Sequence, residues 1–304
     1  MTNQMKRAYT PAGVLAAAGG TFFWGVGIVI IKLTVSPILI VSFYRHAFSI
    51  PILLVAWVLT RDRSLPWRAA GIGGVLFAAH QIAHIGALRY STAAVVTIFF
   101  SMQPILVGAA GRRVTGERTT SQFYAWSVVA VVGCAVLVLA TSSRGTTTPL
   151  GTTLAVANLL VWTAYYLATK RARETVGTIS WLLVMTTVSG AIIGVLTIVV
   201  HRSFAVPSTR ELLYLAGLAV IPGTTGHFLV TWAQPRIHAA ASSAIFVGVP
   251  IVATIGAAIF NNEPFGALDG VGALIALGAT VMALRCLPAP VTEEAAERYG
   301  EVAT

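Results

Sequence analysis

The stretch HQIAHIGALR at residues 80–89 decides the fold of this chain, because it recurs as HFLVTWAQPR at residues 227–236. Both stretches place a histidine nine residues before an arginine. Downstream, IFFSMQP at residues 98–104 resembles IFVGVP at residues 245–250. Matches that follow one another in the same order indicate that the chain contains two copies of one unit.

The matching order extends to both sides of these stretches. TAA at residues 92–94 corresponds to AAA at residues 239–241. Near the start of each copy, FWG at residues 23–25 has a looser counterpart in VWT at residues 161–163. The repeat therefore covers most of the chain.

The composition indicates whether the repeat folds in water or in a membrane. Of the 304 residues, 56% are hydrophobic and 10% are charged, whereas soluble domains carry about 25% charged residues. Apolar runs of about 18 residues or more can cross the hydrocarbon core of a bilayer. The sequence therefore predicts an all-α membrane protein with ten transmembrane helices embedded in the lipid bilayer. The predicted spans are 11–32, 36–60, 67–88, 92–113, 121–141, 150–171, 178–200, 210–233, 238–260 and 267–286.

Ten spans give five to each copy, one over residues 11–141 and one over residues 150–286. Because five is odd, the second copy must cross the membrane in the opposite direction from the first. Such inverted repeats are typical of secondary transporters, whose substrate site lies near the midplane between the repeats. We expect residues 287–304 to form a flexible cytoplasmic tail, and we expect the first apolar run to be a retained span and not a cleaved signal peptide.

The positive charges indicate the orientation in the membrane. The net charge is +10, but the Lys and Arg residues lie between the apolar runs and not along one polar face, which argues against nucleic acid as a partner. With the N-terminus inside, the inner segments hold fourteen Lys and Arg residues and the outer segments hold five, while Arg45 lies within the second span. The positive-inside rule then predicts a multi-pass protein of the cell membrane, inner or plasma, with both termini cytoplasmic.

The order of these features resembles the EamA-type ten-helix exporters of the drug/metabolite transporter superfamily. The resemblance covers residues 12–286. It implies two five-helix domains and the export of amino acids, other metabolites or drugs. The residues that carry it are FWG at 23–25, Lys32, Arg45, and the segment from Pro104 to GER at 116–118, with a second copy of that segment from Pro250 to NEP at 262–264.

The second copy departs from the first at two of these positions. Pro264 stands where the first copy has Arg118, and no arginine corresponds to Arg45. A role that the resemblance implies for Arg45 or Arg118 therefore applies to the first half only.

Histidines are the titratable candidates for a site within the membrane. All ten Asp and Glu residues lie in predicted loops, at span ends or in the tail, which argues against a carboxylate relay. His80 and His84 share one face of the third span, and His227 is the counterpart of His80. Because histidine changes charge near neutral pH, these residues could bind substrate or carry protons. Hydrogen bonds that only pack helices together are the alternative.

The pair His80 and His84 also has the spacing of two metal ligands on a helix. No Asp, Glu or Cys nearby supplies a third ligand, unlike the arrangement in His-Glu-x-x-His motifs. We therefore expect neither a metal nor a cofactor. Arg45 needs a partner or an aqueous cavity at its depth in the membrane, and it could bind a substrate carboxylate or hold a backbone carbonyl at a helix contact.

Aromatic residues away from the membrane interfaces are further candidates. The counterparts Trp24 and Trp162, together with Tyr166, could form the wall of a substrate cavity, or they could pack helices. Phe100 and Gln103 precede Pro104, which frees a backbone carbonyl one turn earlier. That break could expose polar backbone to a cavity, or it could be a plain kink.

Glu117 and Glu263 stand near the starts of the fifth and tenth spans. A negative charge there complements the helix dipole, so we expect both to cap those spans and not to act in chemistry.

These observations predict an exporter of a small organic metabolite, an amino acid or a related compound, that works by alternating access. No G-x-x-x-x-G-K-[ST] loop is present, so gradients or exchange must supply the energy. Proton coupling through the histidines, substrate exchange and facilitated diffusion all stay open, as do a monomer and a homodimer. One rival class is an intramembrane enzyme, which would need a nucleophile, acid or metal cluster, and the sequence offers none beyond His80, His84 and Arg45. The other is a membrane scaffold, and polar residues repeated at mid-membrane favour transport over it.

Overall fold

The computed structural model describes residues 10–60, 64–141, 146–202, 206–260 and 265–287. The secondary structure in these ranges is helical and forms ten helices long and apolar enough to cross a membrane, which confirms the predicted fold class. Spans 1 to 10 are Pro11–Leu33, Ile38–Leu59, Trp67–Tyr90, Ala93–Val114, Ser121–Thr141, Pro149–Ala172, Thr178–His201, Thr209–Arg236, Ala239–Phe260 and Ala267–Arg285. Residues 288–304 of the predicted tail and Glu263, the predicted cap of span 10, lie outside the described residues.

Each half begins with the same local signal. Thr10 precedes Pro11, and its hydroxyl accepts a hydrogen bond from the backbone N–H of Gly13 at 3.0 Å. Thr148 and Pro149 start the second half in the same way, with Gly151 N–H donating to Thr148 at 3.0 Å. Threonine at the N-cap and proline in the first turn are both favourable at a helix start, so the two halves fold locally alike.

The two halves interleave. Span 1 packs against spans 8 and 9 of the second half, and span 6 packs against spans 3 and 4 of the first. Spans 2 and 7 pack against each other, and so do spans 5 and 10. These pairings map onto themselves when the halves are exchanged, as an in-plane two-fold relation requires.

Spans 4 and 9 are broken at corresponding places. Span 4 consists of helices Ala93–Ser101 and Gln103–Val114, and span 9 consists of helices Ala239–Ile245 and Gly248–Phe260. Each second segment carries a proline in its first turn, Pro104 or Pro250. Since proline has no N–H to donate to the preceding turn, the regular hydrogen-bond ladder stops there.

The helix starts correct one detail of the predicted repeat. Thr92 caps span 4 and His238 caps span 9. Ala93 therefore corresponds to Ala239, one residue away from the pairing of residues 92–94 with 239–241. The slip arises at the end of span 8, where the helix tightens into a 3₁₀ turn over Gln234–Arg236.

Candidate functional site

A small cavity lies between the two halves near the middle of the spans. Its volume is about 50 Å³, enough for a few water molecules and smaller than the roughly 150 Å³ that holds benzene in other proteins. The described residues that line it come from spans 1 to 4 and from spans 6, 8 and 9: Trp24, Gly27, Ile28, Ile31, Arg45, His80, His84, Val96, Thr97, Phe100, Trp162, Pro222, His227 and Val249.

Arg45 supplies a fixed positive charge to this cavity. Its side chain is 6% exposed, and its Nη1 donates a hydrogen bond to Gln81 Oε1 of span 3 at 2.8 Å. Gly223 of span 8 allows the guanidinium to come close, because a Cβ there would lie 3.2 Å from Arg45 Nε and 2.7 Å from the Leu218 carbonyl oxygen. Spans 2, 3 and 8 together therefore position the arginine.

The three predicted histidines meet at the cavity. The rings of His80 and His84 stack with 5.5 Å between centroids. His80 Nδ1 lies 2.6 Å from Asn158 Oδ1, and since a carboxamide oxygen only accepts, this nitrogen carries the ring proton. His227 reaches the same place from span 8, with its ring centroid 5.9 Å from that of Trp162 and 4.9 Å from that of Phe77.

Two repeat-related tryptophans form a wall of the cavity. The rings of Trp24 and Trp162 meet edge to face with centroids 5.1 Å apart, and Phe100 lies beside Trp162 at 6.2 Å. The Nε1 atoms of both tryptophans are buried and have no hydrogen-bond partner among the described residues. An indole N–H can only donate, so the wall holds two unused donors.

Two of the nine predicted site residues lie away from the cavity lining. Tyr166 is buried between spans 6 and 9, where its hydroxyl contacts Ser242 Oγ and donates to the Ala239 carbonyl. Gln103 is fully buried at the break of span 4, and its amide has no partner among the described residues. Both residues share a span with cavity residues: Tyr166 lies one turn beyond Trp162, toward the end of span 6, and Gln103 lies beyond the break of span 4.

Several lining residues carry no signal in the sequence. Ile28, Val96 and Val249 resemble ordinary lipid-facing or packing residues, and Thr97 donates to carbonyls of its own helix. Asn158 is 1% exposed and holds His80. A lone asparagine within an apolar span is unusual in a membrane, and that rarity was the available signal.

Span 8 changes helix type next to the cavity. Residues Ala219–Gly226 form a π-helix around Pro222, and the α-helix resumes at His227. Ser49 of span 2 donates to the Ala219 carbonyl at 3.2 Å, at the first residue of the π-helix. π-helical turns are rare and often occur at functional sites.

A second polar cluster, formed by Glu117, Lys170 and His238, closes the end of the bundle where spans 6 and 8 finish. Lys170 Nζ lies 3.1 Å from Glu117 Oε1 and donates to the carbonyls of Gln234 and Ile237 at 2.6 and 2.7 Å. Lys170 is one of the fourteen predicted inner-segment charges, and the structure buries it, with 7% of its side chain exposed.

The position of Glu117 corrects its predicted role. Its Oε2 accepts the backbone N–H of Ala239 at 2.7 Å, so it caps span 9 of the other half. Span 5 begins at Ser121 with Thr120 Oγ1 accepting from Phe123 N–H. The prediction that Glu117 caps span 5 is wrong because the loop folds back toward the opposite half, which the linear sequence does not reveal.

His238 completes the Glu117–Lys170–His238 cluster as a neutral cap. Its Nδ1 accepts the N–H of Ala240 at 3.2 Å, so that nitrogen carries no proton, although it lies 3.5 Å from Glu117 Oε2. Burial lowers the pKa of His238, and the nearby Lys170 ammonium lowers it further, against the opposing effect of Glu117. The imidazole is therefore neutral at pH 7.

Lys32 makes the corresponding contact at the other end of the bundle. Its Nζ donates to the carbonyls of Leu88 and Ser91 at 2.7 and 3.3 Å. Like Lys170, it follows a cavity tryptophan by eight residues and binds two carbonyls three residues apart at the end of the facing span. Lys32 is exposed, whereas Lys170 is buried.

The fold and the site together define a class: a ten-helix membrane protein of two inverted repeats that share one polar cavity. Within that class, the chain belongs to the EamA-like transporter family, whose model matches residues 11–139 and again residues 149–285. The resemblance drawn from the sequence is thereby confirmed, and the protein is a membrane transporter.

Comparison with known structures supports the same fold. One solved crystal structure has 17% sequence identity and a TM-score of 0.74, and the match covers 89% of this chain and 97% of that one. At this level of identity the likeness shows the fold alone. No curated protein sequence matches the chain.

Proposed function

We propose that this transporter exports small organic metabolites, such as an amino acid or a related compound, by alternating access. The observation that carries the proposal is the pairing at the cavity: Trp24 with Trp162 and His80 with His227 come from corresponding places in the two halves. A site shared by inverted repeats can face either side of the membrane when the repeats exchange conformations.

The two ends of the bundle support this mechanism. Hydrogen bonds from Lys170 join span 6 to the end of span 8, and hydrogen bonds from Lys32 join span 1 to the end of span 3. These contacts lie on opposite sides of the cavity. Alternating access would release one contact while it keeps the other, and the cavity of about 50 Å³ would widen to admit a metabolite.

The orientation and the energy source are part of the same proposal. The excess of Lys and Arg at the end that holds Lys170 supports a cytoplasmic location for that end and for both termini, in the inner or plasma membrane. Outward movement then counts as export. Three histidines at the cavity are the groups through which protons could be coupled to substrate.

The test is counterflow in liposomes that contain the purified protein. A panel of radiolabelled amino acids and related metabolites is offered to wild type, to the His80→Ala/His227→Ala double variant and to His201→Ala, a control histidine exposed at the end of span 7. We expect counterflow by wild type and by the control and its loss in the double variant. Counterflow that survives in the double variant would remove the histidines from the site, and no counterflow across the panel would contradict the proposed substrate class.

A further inference from the structure

The described residues that line the cavity offer one positive charge and several hydrogen-bond donors but no negative charge. This imbalance restricts the class of substrate that the cavity can bind. The inference rests on the proposed function, because it names the substrate class of that same site. Among the described lining residues, Arg45 is the one with a formal charge at neutral pH. A guanidinium stays protonated in proteins, and a charge in the interior of a membrane protein is costly unless an opposite charge accompanies it.

The partner of Arg45 within the described residues does not supply that opposite charge. Gln81 accepts one of the five guanidinium N–H groups with its neutral carboxamide oxygen. The Nε2 of Gln81 is itself a buried donor without a partner among the described residues. The neighbourhood of Arg45 therefore offers positive charge and donors together.

The tryptophan wall adds donors of the same kind. Trp24 and Trp162 both line the cavity, and the Nε1–H of each is buried without a partner within the described ranges. An unsatisfied buried donor costs free energy until an acceptor reaches it. A carboxylate has two oxygens and about four acceptor sites, so one such group can serve several of these donors.

The rest of the lining is apolar or aromatic. Ile28, Ile31, Val96, Phe100 and Val249 surround the polar groups, and they offer an organic substrate one apolar compartment beside one charged point. A second ionic group on the substrate would find no oppositely charged side chain among the described lining residues. An ammonium would in addition lie close to the positive charge of Arg45, which is unfavourable in a low dielectric.

From these observations we infer that the transporter carries organic carboxylate anions with an apolar remainder, and that it prefers them over the amino acids and amines of the same skeleton. Arg45 holds the carboxylate, and the two tryptophans flank the apolar remainder and donate their Nε1–H groups to the carboxylate oxygens.

The inference is tested with three compounds that share an isobutyl group: 4-methyl-2-oxopentanoate is an anion, leucine a zwitterion and 3-methylbutylamine a cation. The measurements are counterflow in liposomes and the shift of the melting temperature of the purified protein. We expect the anion to exceed the other two by roughly 10- to 100-fold in apparent affinity, which is the range for a hydrogen-bonded charge.

Variants assign this preference to Arg45. We expect Arg45→Gln to remove the preference for the anion, Arg45→Lys to retain part of it, and the control Arg210→Gln, at the exposed start of span 8, to leave it unchanged. The melting temperature without ligand shows whether each variant is folded. An Arg45→Gln protein that is folded and still prefers the anion would overturn the inference.

The outcomes separate the inference from the proposed function. If leucine, the amine or another zwitterion or cation of the panel is carried in preference to every anion, the protein is a transporter and the inference is wrong. If neither the three compounds nor any other member of the panel is carried, both the inference and the proposed function fail.

Discussion

Spans 3 and 8 hold the same position in their halves and bring His80 and His227 to the same cavity, but they are built differently. Span 3 is one uninterrupted α-helix over Trp67–Tyr90. Span 8, Thr209–Arg236, passes from α-helix to π-helix, back to α-helix and into a 3₁₀ turn. One wall of the cavity is therefore regular and the other is irregular.

The residues explain the difference. Span 3 contains no proline, and its Gly73 and Gly74 let it pack tightly on span 7, since added Cβ atoms would lie 2.7 Å from Trp181 and 2.6 Å from Val188. In span 8, Pro222 has no backbone N–H to donate within the helix, and Gly223 follows it. Inverted symmetry thus fixes where the two histidines stand, while a few local residues decide how readily each wall can rearrange.

The first way to sharpen this comparison is to remove the corresponding lysines. Lys170→Met leaves the partly buried Glu117 carboxylate without its cation, so we expect a loss of about 3 kcal/mol in the free energy of unfolding, the lower end of the range for buried pairs. Lys32 is exposed and donates to two carbonyls, so Lys32→Met should cost only about 1 kcal/mol. Unfolding in detergent measures both.

A double variant is the control for that difference. Lys170→Met combined with Glu117→Gln should recover part of the stability, because no unpaired charge is then left buried. Equal losses for the two single lysine variants would mean that the two ends of the bundle are held equally strongly.

The second test concerns the π-helix itself. Pro222→Ala restores a backbone N–H and lets span 8 become as regular as span 3, so we expect unchanged or slightly higher stability and a counterflow rate lower by about tenfold, equivalent to ~1.4 kcal/mol. Pro51→Ala is the matched control, because Pro51 lies inside span 2, is exposed and leaves that helix unbroken. A Pro222→Ala protein that transports at the rate of wild type would show that the irregular wall is not required for transport.

The smallest expected effect concerns the difference between the N-terminal caps of spans 4 and 9. Thr92 caps span 4 with a hydroxyl, and His238 caps span 9 with a neutral ring nitrogen. Because the pKa of His238 is lower in the folded protein than the usual value of about 6.5, its contribution to stability is present above that pH and is lost as the pH falls below it.

We therefore expect the unfolding free energy of wild type to fall more, as the pH drops below about 6.5, than that of His238→Thr. Thr92→Ala should cost about 1 kcal/mol at every pH. A pH dependence that is identical in wild type and His238→Thr would assign the titration to another group.

The ten spans and the repeat could be predicted, because both depend only on the hydropathy of the residues and on their order along the chain. Seven of the nine predicted site residues line the cavity, since a charged, polar or aromatic side chain within an apolar span is unusual by itself. Whether those seven bind substrate stays a prediction.

The features that the sequence did not predict depend on contacts between helices. The cap from Glu117 to span 9 and the burial of Lys170 depend on contacts between halves, which a linear pattern does not contain. Gln103 begins the second helix of broken span 4, so the direction of its side chain does not follow from that of Phe100. Tyr166 lies in the unbroken span 6, one turn beyond Trp162 and outside the cavity lining. The π-helix could not be predicted either, because its contact between Ser49 and Ala219 joins two spans that are far apart in the sequence.

The glycines of spans 5 and 10 have a consequence for how the chain is connected. An added Cβ on Gly133 would lie 2.5 Å from the backbone nitrogen of Ala276, and one on Gly272 would meet the backbone of Leu137, so the last spans of the two halves touch backbone to backbone. In lipid, such close packing is a main source of helix association. The peptide link between spans 5 and 6 therefore serves chiefly to raise the effective concentration of one half near the other, and two separately synthesised halves retain the surfaces they need to find each other.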